Sequence, residues 1–150
     1  MLINIPEIIS PELMKVMMEM GHGDELVLAD GNFPAASHAQ RLIRCDGLGT
    51  KELLKAILIF FPLEYRRELA AFMQIPPELN FSSPMQEEYI KILQECTGKE
   101  PEVKHEQRDD FYARSRSAYA IVATSETERF ANIIIRKGVV TDTTKNRSNS

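Results

Sequence analysis

Cysteine is scarce in this chain. Cys45 and Cys96 are the only two, and no CxxC spacing occurs. Two thiols are too few for a disulfide framework and wrongly arranged for a structural zinc site, so reduced thiols in a reducing compartment are expected. Histidine is nearly as rare, and His22, His38 and His105 stand too far apart in sequence to form a metal-binding spacing. Long apolar runs are missing: the stretch from Ala56 to Leu63 is far short of a membrane span. The opening MLINIPEIIS lacks the basic region and the long apolar region of a signal peptide, which makes the cytoplasm the expected location. An excess of positive charge is also lacking. The net charge of −4 argues against nucleic acid and anionic membrane as partners. A GxSxG elbow, a P-loop and a GxGxxG turn are all absent.

What is present reads as an α/β domain. The hydrophobic share of 43% and the charged share of 27% are ordinary for a globular protein, and 150 residues suffice for one domain with its own core. Ser10, Pro11 and Glu12 form a helix start, with Leu13, Val16, Met17 and Met20 on one face and Gly21 as the stop. Glu25 to Ala29 reads as a buried strand closed by a turn at Asp30, Gly31 and Asn32. A short strand follows over residues 41–44. A helix capped by Thr50 then carries Leu53, Leu54, Ile57, Leu58 and Phe61 inward and ends at Pro62. Residues 70–74 fit a strand. Ser83 and Gln86 have capping-box spacing, and the helix behind them turns Met85, Tyr89, Ile92, Leu93 and Cys96 inward before Gly98. Residues 111–117 fit a short helix, and 118–123 and 132–135 two inner strands. The domain is expected over 1–140, with a polar, disordered tail over 141–150.

Three places could carry chemistry. His22 stands between Gly21 and Gly23, just past a helix end, where the negative helix terminus favours a protonated ring and the glycines admit a ligand. The alternative is a cap histidine touching the last carbonyls. Asp30 ends an apolar strand, where α/β domains place binding groups, although Asp-Gly is also a common turn pair. Arg108 with Phe111 and Tyr112 could hold sugar or carboxylate oxygens and cover an apolar ring face, or be a solvated arginine beside core aromatics. Asn132 at a strand mouth could bind a hydroxyl or cap a turn. His38 and His105 read as surface residues.

Several blocks resemble the L-fucose mutarotase / ribose pyranase family. Ile9-Ser-Pro-Glu-Leu-Met14 is followed by Met20-Gly-His-Gly-Asp-Glu-Leu-Val-Leu-Ala-Asp30, Asn32-Phe-Pro-Ala35 and Ile43-Arg-Cys-Asp-Gly-Leu48. Then come Arg108, Phe111-Tyr112-Ala-Arg114, Ala118-Tyr-Ala-Ile-Val122 and Asn132-Ile-Ile-Ile-Arg-Lys-Gly-Val139, in the same order over roughly residues 7–139. The resemblance implies a single-domain three-layer α/β sandwich assembled into a ring, often a decamer, with sites near subunit contacts. It implies a cofactor-free, metal-free isomerase that interconverts the α and β anomers of L-fucose, with D-ribose as a second candidate sugar. His22 then falls on the proton donor, and Asp30, Arg108, Phe130, Ala131 and Asn132 on sugar-binding positions. Tyr112 and Tyr119 are further candidates for hydroxyl contacts. The family commonly has tyrosine where this chain has Phe130, so Asn132 is the firmer of the two. A sugar-binding protein without turnover and a purely structural ring protein are the competing readings.

Overall fold

A computed structural model describes residues 1–145. Helix α1 spans Pro11–Glu19, and the Ser10 hydroxyl accepts from Leu13 N at 3.1 Å, as its sequence start implies. Then follow β1 (Glu25–Ala29), α2 (Ala35–His38), β2 (Leu42–Cys45), α3 (Thr50–Leu58) and β3 (Ala70–Met73). After a short 3₁₀ turn at Pro77–Leu79 come α4 (Pro84–Thr97), β4 (Val103–Glu106), α5 (Arg108–Ser117), β5 (Ala120–Thr124), β6 (Ile133–Arg136) and α6 (Asp142–Lys145).

The six strands form one sheet in the order β2-β5-β1-β6-β3-β4. β2, β5 and β1 run parallel, as do β3 and β4; β6 is antiparallel to both β1 and β3 and joins the two groups. All the strands except β6 therefore point the same way. Alternate residues of β1 face opposite sides. Leu26 and Leu28 pack with Leu13 and Val16 of α1, Leu53 and Leu54 of α3, and Tyr89 and Leu93 of α4. Val27 and Ala29 pack on the other side with Phe33, Ala35 of α2 and Phe111 of α5. Helices thus cover both faces, and the three-layer α/β sandwich expected from the sequence is the fold.

Helix α5 is locked onto the sheet by charge as well as by Phe111. Arg114 donates to Glu25 at 2.6 and 3.0 Å and to Glu106 at 3.2 Å, and Arg136 stands 3.5 Å from the same Glu25. These side chains are largely shielded from water, where removing one partner of such a network is costly, and Arg136 Nη1 is buried with no hydrogen-bond partner among the described residues.

Local differences from the sequence reading have physical causes. Gly49, not Thr50, is the N-cap of α3, and Thr50 is buried with its hydroxyl turned to Glu126. Ser83 accepts from Gln86 N as a cap should, but the Gln86 side chain does not return to Ser83. Cys96 is exposed, because the core reaches the third turn of α4 and not its last. Cys45 is buried in the core. β4 and α2 have no periodic apolar signal and were not expected. Residues 142–145 form one helical turn in place of an irregular tail, while the disorder expected for 146–150 lies outside the described residues. No helix among the described residues is long and apolar enough to cross a membrane.

Candidate functional site

The parallel strands give the sheet two chemically different ends. Asp30 directly follows β1, Asn132 directly precedes the antiparallel β6, and Arg108 begins α5 two residues after β4. All three therefore lie at the end to which the parallel strands point. His22 precedes β1 and lies at the other end. A five-residue strand spans roughly 17 Å at about 3.4 Å per residue. One chain does not bring His22 and Asp30 to the same monosaccharide.

At the first end, Asp30 and Asn132 are joined: Asp30 N donates to Asn132 Oδ1 at 2.7 Å. Asn132 is buried, and its amide group remains a possible donor. Asp30 Oδ1 accepts from Asn32 N at 3.0 Å. Burial pushes the Asp30 carboxyl above the usual carboxylate range, against opposing hydrogen bonds from the Asn32 and Phe33 backbone and the Asn132 side chain. A shallow cavity of about 300 Å³ adjoins it, lined in part by Asp30, Phe33, Ser37, Arg44 and Thr124.

The 130–132 segment is held from beneath by α4. Gln86 Nε2 donates to the carbonyls of Met73 (3.0 Å) and Phe130 (3.1 Å). The Tyr89 hydroxyl donates to the Ala131 carbonyl at 2.6 Å and touches Thr50 Oγ1, whose hydroxyl reaches Glu126 at 3.1 Å. Burial pushes the Tyr89 phenol far up, so it stays neutral and able to donate. These bonds hold Phe130 at φ 56°, a left-handed conformation costly for a bulky residue and common at functional sites. The Phe130 ring lies beside Phe81 and Arg129. Neither Gln86 nor Tyr89 carried a sequence signal for this role, since their partners are distant in the chain.

Arg108 is exposed, 5.4 Å from the Tyr112 ring, and no carboxylate among the described residues pairs with it. Its guanidinium is free to meet ligand oxygens. Tyr112 is half-buried against Phe33 and His38, at 5.4 and 5.3 Å. Phe111 is fully buried and belongs to the core. His38 is not a simple surface residue: it is half-buried in this aromatic cluster, and burial followed by the Arg116 charge pushes its imidazole down. His105 is exposed.

At the second end, β6 carries two loops side by side. On its β1 side, Gly23 N donates to Lys137 O and Lys137 N to Asp24 O, both at 2.8 Å. On its β3 side, Glu64 N donates to Arg136 O at 2.9 Å and Leu63 bridges to Lys137. His22 and Glu64 meet between these loops, and His22 Nε2 hydrogen-bonds Glu64 Oε2. The His22 side chain is half-exposed and that of Glu64 is nearly covered. Arg66 N donates to Glu64 Oε1 at 2.9 Å; this bond and the His22 contact hold the carboxyl below its usual range. Lys137 Nζ reaches the Met17 and Met20 carbonyls at the end of α1. His22 is therefore not the helix cap, and its negative neighbour is a carboxylate rather than the helix terminus. Glu64 was missed because 42 residues separate it from His22. Tyr119 lies at this end too, its hydroxyl 3.3 Å from Glu19 and its ring 3.9 Å from the Arg41 guanidinium. No His, Cys, Asp and Glu cluster able to hold a metal occurs among the described residues.

Known proteins are similar to this chain over most of its length. The chain is 44% identical over 140 residues to the L-fucose mutarotase of Actinobacillus pleuropneumoniae serotype 5b, covering 93% of this chain and 97% of that protein. It is 44% identical over 143 residues to the fucose mutarotase of Homo sapiens, covering 91% and 92%. The crystal structure of the fucose mutarotase of Streptococcus pneumoniae in complex with L-fucose superposes with a TM-score of 0.89 at 45% identity, over 93% of this chain and 100% of that one. Residues 3–140 match one protein family as a whole. On that match and these identities, the chain belongs to the RbsD / FucU transport protein family.

Proposed function

We propose that this protein is an L-fucose mutarotase, an isomerase that interconverts the α and β anomers of the free sugar in the cytoplasm. The observation that carries this reading is the likeness to fucose mutarotases over nearly the whole of both chains, including one structure that holds L-fucose. The chemistry needs two proton transfers. The anomeric hydroxyl loses a proton while the ring oxygen gains one, and the C1–O bond breaks to give the open-chain aldehyde. Rotation about C1–C2 and the reverse transfers close the ring on the other face. His22 is the donor to the ring oxygen. Asp30 orients the sugar or accepts the anomeric proton, and Arg108 and the Asn132 amide bind hydroxyls. Acid–base catalysis of this kind is typically worth about 10²–10⁴-fold.

These roles require His22 of one copy beside Asp30, Arg108 and Asn132 of another, because they stand at opposite ends of β1. A head-to-tail contact of that sort repeats around a closed ring. Exposed apolar side chains at both ends support it: Met18, Tyr65, Val139 and Val140 near His22, and Leu79 and Phe81 near Phe130.

Exchange NMR of L-fucose anomers tests the activity, with D-ribose as the second sugar and His22→Ala as the control. Faster anomer exchange that is lost in the variant is expected. Sugar contact without faster exchange would leave a binding protein. Neither contact nor exchange would leave a structural ring.

A further inference from the structure

The proposed roles leave open which nitrogen of His22 meets the sugar, and they assign nothing to Glu64. We infer that Glu64 is a positioning residue that holds the Nε2–H of His22 and thereby presents Nδ1 to the substrate. This inference deepens the mutarotase reading and rests on it for the role of His22.

Three observations carry it. Glu64 Oε2 lies against Nε2 and not Nδ1. A carboxylate held ionised accepts hydrogen bonds and cannot donate them, so the nitrogen facing it must carry the hydrogen. The second oxygen of Glu64 is already engaged by Arg66 N, which prevents the carboxylate from rotating freely. The neutral ring is then confined to the Nε2–H form, with the Nδ1 lone pair outward. Once protonated, the ring offers Nδ1–H as the acid.

The backbone is built to keep the pair together. Both loops hang on the end of β6, one on each side. Gly138 allows this: a Cβ there would lie 2.6 Å from the Leu63 carbonyl oxygen. Gly23, at φ +88°, turns the chain back to β6 directly after His22.

The test is ¹⁵N NMR of the His22 ring in the sugar-free protein, beside anomer-exchange kinetics, for the wild type and Glu64→Gln. Glutamine keeps the shape, but its amide can face either ring form. A single Nε2–H form is expected in the wild type and a mixture in the variant. The kcat of the variant should fall roughly 10- to 100-fold, within what acid–base catalysis supplies, with KM changed by about twofold or less. An Nδ1–H form in the wild type overturns the inference. So does a variant that keeps both the wild-type ring spectrum and the wild-type kcat. If the wild type does not accelerate exchange, the mutarotase reading fails, and the ring spectra still decide the pairing.

Discussion

Asp30 combines a tight turn with a carboxyl that pays for its burial. It follows the apolar run Leu26 to Ala29 and binds its own turn through Asn32 N, as the turn reading of its sequence context implies. Its folded pKa is raised, so the folded state holds the proton more tightly than the unfolded chain. No penalty exists below the unfolded value. As pH rises through the folded value the carboxyl ionises at a cost, and that cost persists at neutral pH. Asp30→Asn should therefore raise the thermal midpoint at neutral pH and lower anomer exchange by about 10²-fold or more. Calorimetry and exchange NMR on the same preparation check both halves. The acid limb of the wild-type pH–rate profile should also lie above the usual carboxylate range. At this scale sequence reading reached His22, Asp30, Arg108 and Asn132 as candidates. It did not reach Glu64, because a contact across 42 residues leaves no spacing in the chain.

Elements that carry their own start and stop signals were legible. Helix α1 begins at Ser10 and Pro11, and α4 ends at Gly98 in the left-handed conformation that glycine favours. β1 was legible from the apolar run Leu26 to Ala29. β4 was not: it is an edge strand in which Lys104 and His105 are exposed and Val103 and Glu106 half-buried, so burial does not alternate along it. What α4 does for the 130–132 segment was hidden for a related reason. Gln86 has a capping spacing, yet its side chain serves carbonyls on two other segments. Tyr89→Phe should leave the Ala131 carbonyl without its buried donor and cost about 1–3 kcal/mol. It should also raise KM for the sugar more than it lowers kcat, as denaturant melts and kinetics would show. Arg114→Ala should destabilise by less than the roughly 3–5 kcal/mol of a fully unpaired buried charge, because Glu25 would keep only Arg136 at 3.5 Å and Glu106 only Lys104 at 3.2 Å. A drop in the denaturant midpoint measures it, and Arg108 should lose its fixed position with α5.

At the scale of the whole molecule the α/β class follows from alternating helical and apolar segments, the family resemblance implies three layers, and the fold has that form. The sequence did not reveal that β6 runs against the other strands. That reversal sets Asn132 beside Asp30 and sends the end of β6 to His22. The result is a chain with the proposed proton donor, His22, at one end and the proposed sugar-binding groups, Asp30, Arg108 and Asn132, at the other. The account's central claim is that an active site is assembled from two copies of this chain. Subunit complementation tests it most directly. His22→Ala and Asp30→Asn are each made alone and then co-expressed in equal amounts, and L-fucose anomer exchange is measured on the purified mixed assemblies. Each variant alone should be inactive, and the mixture should recover about a quarter of wild-type activity, the share of random head-to-tail contacts that carry both intact residues. A mixture as inactive as its parents, with mixed assemblies shown to be present, would contradict the account and return both residues to a single chain.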